Sequence, residues 1–106
     1  MVQMADIEKL TEMVGYQDGS VVSRTLIKKD VGTVTLFSFD KGQGLSEHSA
    51  PYDAMVTILD GSAEINIGGE LHKVSAGEMV IMPADIPHAL KADEAFKMML
   101  VMIRQS

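Results

Sequence analysis

The sequence contains no cysteine, so the chain can form neither a disulfide nor a thiolate metal site. Any metal ion would need histidine, carboxylate or, more weakly, methionine ligands. Basic residues are also few, because nine lysines and arginines stand against 15 acidic residues and the formal net charge is −6. Nucleic acids and anionic membrane surfaces are bound by clustered basic side chains, so we expect neither as a partner.

Long apolar runs are missing as well. No stretch approaches the roughly 18 apolar residues that a membrane-spanning helix needs. The N-terminus is not a basic stretch followed by an apolar run, and we therefore predict a cytoplasmic protein. The chain has 106 residues, 46% hydrophobic and 23% charged, which fits one globular domain. We predict a single domain over residues 1–106, with an N-terminal segment 1–19 and a main body 20–106.

Helical periodicity occurs near the N-terminus. Residues 6–14 place apolar side chains at helical spacing after Asp6, a suitable N-cap, and this predicts a short helix. Beyond Gly19 the pattern is that of strands, over residues 21–27, 33–39, 54–59, 63–67, 70–74, 79–82, 88–90 and 96–103. Asp60-Gly61 and Gly68-Gly69 are each flanked by apolar strands and predict two-residue hairpins. About eight short strands predict an all-β sandwich or barrel.

The last predicted strand is apolar on both faces. Phe96, Met98, Leu100 and Met102 alternate with Met99, Val101 and Ile103, so few of its side chains are left to face water. Such a strand is either central in the fold or covered by a second subunit. We therefore predict a homodimer.

Two histidines stand in similar surroundings, forty residues apart. His48 follows a glycine-rich turn and precedes the strand that ends at Asp60-Gly61, and we place it in a loop. His88 follows Gly77, a short apolar strand and a proline turn. Since both rings stand at strand–loop junctions, we predict that they meet at the mouth of one cavity.

The two stretches resemble the paired motifs of the cupin superfamily, G-x5-H-x-H-x3-4-E-x6-G and G-x5-P-x-G-x2-H-x3-N. The matching residues are Gly42, His48 and Gly61 in the first motif, and Gly77, Pro83 and His88 in the second. The resemblance covers roughly half of the chain and implies a double-stranded jelly-roll β-barrel. More narrowly, the chain is similar to small single-domain cupins without an assigned function.

The departures from this pattern fall on the metal ligands. The resemblance implies that metal-binding cupins use both histidines and the glutamate of the first motif together with the histidine of the second. Here Ala50 stands at the second histidine position and Ala54 at the glutamate position, so two of four ligands are missing. Asp85 replaces a motif glycine and Ala92 the final asparagine.

These observations predict a protein that binds a small molecule in its barrel cavity, with His48 and His88 at the cavity mouth and a weak or degenerate metal site. The predicted ligand-binding residues are His48, Tyr52, Met55, Met82 and His88. A metal, if bound, would be a divalent transition ion (Zn, Ni, Cu or Fe) held by His48 and His88. Asp53 or Tyr52 is a candidate third ligand. A sulfur of Met55, Met79 or Met82 would suit Cu(I).

Two alternatives remain open from the sequence. One is a metal-dependent isomerase, decarboxylase or dioxygenase, in which water or substrate completes a two-histidine site. The other is general acid–base catalysis by His88 without metal. The third histidine, His72, lies between charged residues on a strand, and we interpret it as a surface residue.

Overall fold

The computed structural model describes residues 6–105. In this range the chain forms nine strands and a single 3-10 turn, Leu10–Glu12. The strands are β1 (Val21–Lys29), β2 (Gly32–Phe39), β3 (Gly44–His48), β4 (Tyr52–Asp60), β5 (Ser62–Ile67), β6 (Glu70–Ser75), β7 (Met79–Met82), β8 (His88–Lys91) and β9 (Phe96–Arg104).

The strands form two antiparallel sheets that enclose the core. One sheet has the order β1-β2-β9-β4-β7 and the other β3-β8-β5-β6. The prediction of an all-β fold is therefore confirmed. The closed barrel is wrong, because no strand ladder within residues 6–105 joins one sheet to the other and the two sheets form a β-sandwich.

The two predicted hairpins have different outcomes. Gly68-Gly69 joins β5 to β6, which pair with each other, as predicted. Asp60-Gly61 joins β4 to β5, and these strands lie in different sheets, so a hairpin there is wrong. Gly61 has a φ of 73°, and a Cβ on it would lie 2.3 Å from the carbonyl oxygen of Ala95. Glycine at this position therefore lets the chain pass closely from one sheet to the other.

Strand β9 lies between β2 and β4, in the centre of the five-stranded sheet. Phe96 and Met98 are buried on its inner face, and the Phe96 ring stacks on Phe39 with a centroid distance of 4.5 Å. Val101 and Ile103 lie on the outer face, where Ile103 is 61% exposed. The central position explains part of the two-sided apolar pattern, and the homodimer stays a prediction.

The N-terminal helix predicted over residues 6–14 is wrong. Val14 is buried, but Ile7 is fully exposed and Leu10 is 37% exposed, so the apolar side chains are not packed along the whole segment and only the 3-10 turn forms. The segment is instead held against the sheet by side chains that donate to its carbonyl groups: Ser38 Oγ to Gly15, and Arg24 to Met13. No helix in residues 6–105 is long and apolar enough to cross a membrane.

Candidate functional site

The structure brings His48 and His88 together at one end of the four-stranded sheet. His48 is the last residue of β3 and His88 the first of β8, and the two are directly opposite each other in the antiparallel ladder. Their ring centroids are 4.4 Å apart, with ring planes at 68°. His88 is 8% exposed, whereas His48 is exposed. The pair therefore has one buried and one accessible ring.

A β-bulge in β3 directs His48 toward its partner. Leu45 pairs with Leu90, but three residues further along β3 His48 pairs with His88, which is two residues back along β8. In a regular ladder Glu47 would stand opposite His88. The extra residue in β3 reverses the alternation, so that His48 shares a face with His88. The prediction that His48 lies in a loop is wrong, because it ends an edge strand.

Backbone carbonyl groups fix the tautomer of both rings. His48 Nδ1 lies 2.8 Å from the Ser46 carbonyl oxygen, and His88 Nδ1 lies 3.1 Å from that of Ile86. A carbonyl oxygen only accepts hydrogen bonds, so Nδ1 must carry the proton in each ring. In the neutral imidazoles both Nε2 atoms are then lone-pair acceptors that can bind a ligand proton or a metal ion.

The two loops that flank the histidines are tied to each other. Asp85 N–H donates to the Ala50 carbonyl oxygen, and Ala84 N–H donates to Asp53 Oδ1. Each donor–acceptor distance is 2.9 Å. Asp85 adopts a left-handed conformation with φ 66°, which aspartate tolerates better than most residues. These contacts join the β3–β4 connection and the start of β4 to the β7–β8 connection, next to the two imidazoles.

A cavity of about 50 Å³ opens beside the histidines, between the two sheets. Its polar groups come from His48, Tyr52 and His88. The remaining lining is apolar: Leu45, Ala50, Ala54, Met82, Leu90, Met98, Leu100 and Met102. Since one water needs about 10–15 Å³ of such volume, there is room for a few waters, and a larger ligand must displace side chains. The three methionines are the flexible part of this wall.

Not all the predicted site residues reach this cavity. His48, Tyr52, Met82 and His88 line it, but Met55 does not. Met55 follows the inward-facing Ala54 on β4 and points to the outer face of the sheet, because successive strand residues alternate.

Two other residues weighed in the sequence also lie apart from the cavity. Asp53 lies beside the same outer groove as Met55 and accepts the Ala84 hydrogen bond, so it is not placed as a third ligand. His72 is partly exposed on β6 and does not line the cavity.

The family model for the cupin domain matches residues 35–104, about two thirds of the sequence. The chain belongs to the cupin family. No curated protein matches this cupin.

Solved structures agree with this assignment. A conserved protein of unknown function from Streptococcus pyogenes is 46% identical over 99% of this chain and 92% of its own, with a TM-score of 0.95. A cupin 2 conserved barrel domain protein from Leptotrichia buccalis is 42% identical over 89% of this chain, with a TM-score of 0.86, and the match spans 46% of that longer chain. A cupin superfamily protein from Desulfitobacterium hafniense shares the fold at 24% identity, covering 99% and 95% of the two chains with a TM-score of 0.89.

The residues at the metal position of this cupin do not fit a stable divalent centre. Such a centre normally has three or more protein ligands, and no cluster of three His, Cys, Asp or Glu residues occurs within residues 6–105. Ala50 and Ala54 both line the cavity, and their methyl groups cannot coordinate an ion. No reaction step is therefore assigned to a divalent metal.

Two of the cavity methionines were missed as site residues. Met98 and Met102 are inward-facing on β9, and the alternation of that strand did group them on one face. The face that points to the histidines could not be read from the strand itself, because both of its faces are apolar. The register with β4 decides it: Met102 is opposite Ala54 and Met98 is opposite Ile58, which is buried.

Proposed function

We propose that this cupin binds a small, mainly apolar molecule in the cavity between its sheets, and that the Nε2 atoms of His48 and His88 hold the molecule's polar group. The observation that carries the proposal is the pair of imidazoles, 4.4 Å apart, with both Nδ1 atoms used by backbone carbonyls. Two lone pairs in one small space favour a hydrogen-bond donor between them. An apolar wall with a few convergent polar groups is the usual composition of a ligand site.

The tautomers indicate the chemical class of the ligand. Neutral imidazoles that are protonated at Nδ1 present acceptors at Nε2, so the ligand should carry a hydroxyl or an N–H group. The phenol of Tyr52 adds a group that can both donate and accept. Among the residues that the structure describes, no lysine or arginine lines the cavity, which argues against a phosphate or another strongly anionic ligand.

Methionine and histidine NMR signals test this proposal directly. The protein is stripped of metal with a chelator and labelled with ¹³C at the methionine methyl groups. It is then titrated with a set of small aliphatic alcohols, phenols and amides. We expect the signals of His48, His88 and Met82 to shift for the compounds that bind. His72 and Met55 serve as internal controls, because neither lines the cavity.

A matched pair of variants separates the cavity from the rest of the surface. His88→Gln should abolish the shifts, whereas His72→Gln should leave them unchanged. If compounds that bind move His72 or Met55 instead, the ligand lies elsewhere and the proposal is wrong. The absence of any shift across the set, at concentrations well above those usual for weak fragments, would also contradict it.

A further inference from the structure

Two methionines flank the position that a carboxylate occupies in the metal-binding cupin pattern. Ala54 pairs with Met82 on one side and with Met102 on the other, so the three residues form a row across β7, β4 and β9 on the inner face. Residues directly opposite in antiparallel strands have Cβ atoms about 4.5–5.5 Å apart. All three residues line the cavity, and the short side chain of Ala54 leaves the space between the two longer ones to that cavity. Sulfur thus stands on both sides of the place where a carboxylate is missing.

These thioethers line the same cavity as the two imidazoles. Met82 is 3% exposed and Met102 is partly buried, and both share the cavity with His48 and His88. Within residues 6–105 the cavity therefore offers two imidazole nitrogens, the phenol oxygen of Tyr52 and thioether sulfurs as donors, with no carboxylate and no thiolate. Hard divalent ions prefer oxygen ligands, whereas thioethers select soft ions such as Cu(I).

The charge of the cavity favours a monovalent ion over a divalent one. The cost of moving an ion from water into an apolar site rises with the square of its charge, and a divalent ion normally offsets it with negatively charged ligands. No acidic residue in the described part of the chain, residues 6–105, lines this cavity. A single positive charge, held by neutral nitrogen and sulfur donors, has the smaller cost.

We infer that the cavity is a binding site for Cu(I), coordinated by Nε2 of His48 and of His88 and by the thioether sulfur of Met82, Met102 or both. The backbone carbonyls that hold both Nδ1 protons leave the Nε2 lone pairs for the ion. The accessible ring of His48 gives the ion a way in, and His88 lies deeper. This inference does not depend on the small-molecule ligand, which is tested on metal-free protein.

Anaerobic competition with a Cu(I)-specific chromophoric chelator tests the site. Cu(I) is supplied as its acetonitrile complex to the full-length, untagged protein, and the same protein is titrated with Zn(II). We expect one Cu(I) per chain and far weaker binding of Zn(II). The double variant Met82→Leu/Met102→Leu should weaken Cu(I) binding at least about tenfold. Leucine is close to methionine in volume, so the core should tolerate the change.

The control variant changes a methionine on β4, the strand that also carries Ala54. Met55→Leu removes a thioether one residue away from Ala54, but on the outer face, and should leave the Cu(I) affinity unchanged. His48→Gln changes an exposed side chain, so it should weaken binding without unfolding the protein. X-ray absorption of the wild-type complex should show sulfur as well as nitrogen in the first coordination sphere, and this measurement needs no variant.

Three results would overturn the inference. Cu(I) affinity that is equal in the wild type and in the double methionine variant would remove the thioethers as ligands. Binding that survives His88→Gln would place the ion elsewhere, for instance at other methionines. An absorption spectrum without sulfur neighbours would likewise remove the thioethers as ligands. Failure of the fragment titration on metal-free protein is a separate result and would leave the copper measurements intact.

Discussion

Restoring the two missing ligands should convert the cavity into a divalent metal site. The double variant Ala50→His/Ala54→Glu adds an imidazole and a carboxylate at two positions that line the cavity together with His48 and His88. Four protein ligands would then converge where the present chain offers two. We expect this variant to bind Zn(II) or Co(II) much more tightly than the wild type does.

The size of the effect follows from burial. Ala54 is 4% exposed, so a carboxyl group there without a partner should cost about 1–3 kcal/mol of folding free energy. For a chain of this size that lowers the melting temperature of the metal-free variant by roughly 4–24 °C. A metal present at one hundred times its dissociation constant raises the free energy of unfolding by about 2.7 kcal/mol. The melting temperature should therefore rise by about 11–22 °C when metal is added.

Thermal unfolding followed by circular dichroism, with and without Zn(II), measures both changes, and the visible absorption of Co(II) reports the coordination number. The matched control is Ala50→His/Met55→Glu, which adds the same groups but places the carboxylate on the outer face of β4. If the control gains as much metal-dependent stability as the test variant, or if neither gains any, these positions do not converge on the histidine pair. In either case the geometry described for the cavity would be refuted.

Two further predictions concern other parts of the molecule. Partial burial, together with the hydrogen bond to Asp60 and its negative charge, raises the pKa of the Tyr16 phenol above its ordinary value of about 10. The neutral phenol stabilises the fold fully below pH 10, and this contribution is lost as the pH rises through the raised pKa. The variant Tyr52→Phe leaves Tyr16 as the single tyrosine of the sequence, and its ultraviolet titration should have a midpoint above pH 10. Adding Asp60→Asn to this variant should lower the midpoint, and an unchanged midpoint would contradict the prediction. We also predict that light scattering shows a homodimer. Ile103→Lys should dissociate it, whereas Leu71→Lys should not, although both side chains are 61% exposed. A wild-type monomer at every concentration would refute this prediction.

Local patterns in the sequence predicted much of the fold. Eight of the nine strands in residues 6–105 were predicted with bounds within two residues, whereas β3 was missed. The Gly68-Gly69 hairpin forms as expected because both of its strands pair. The two faces of β9 also divide as the alternation predicts. The meeting of His48 and His88 was expected from the similar surroundings of the two residues and from the resemblance to cupins.

Features that depend on contacts between distant segments could not be predicted. The Asp60-Gly61 turn has the sequence of a hairpin, but its strands find other partners, and this choice is made by the whole sandwich. The N-terminal segment has helical spacing, yet only its end packs: Val14 is buried, whereas Ile7 is fully exposed. Met55 could have been excluded from the site, because the alternation that turns Ala54 inward turns its neighbour outward.

Because of the bulge in β3, a shift of one residue in the pairing of β3 with β8 would change which side chain lies at the cavity entrance. If β3 moved back into regular pairing, Glu47 would take the place of His48 opposite His88, and an acid would replace a base. The chain therefore carries two functional groups of opposite character side by side and selects one by local backbone geometry alone. Inserting a single residue between Leu45 and Glu47, with the bulge kept, would place Glu47 opposite His88 without any change to the residues of the core.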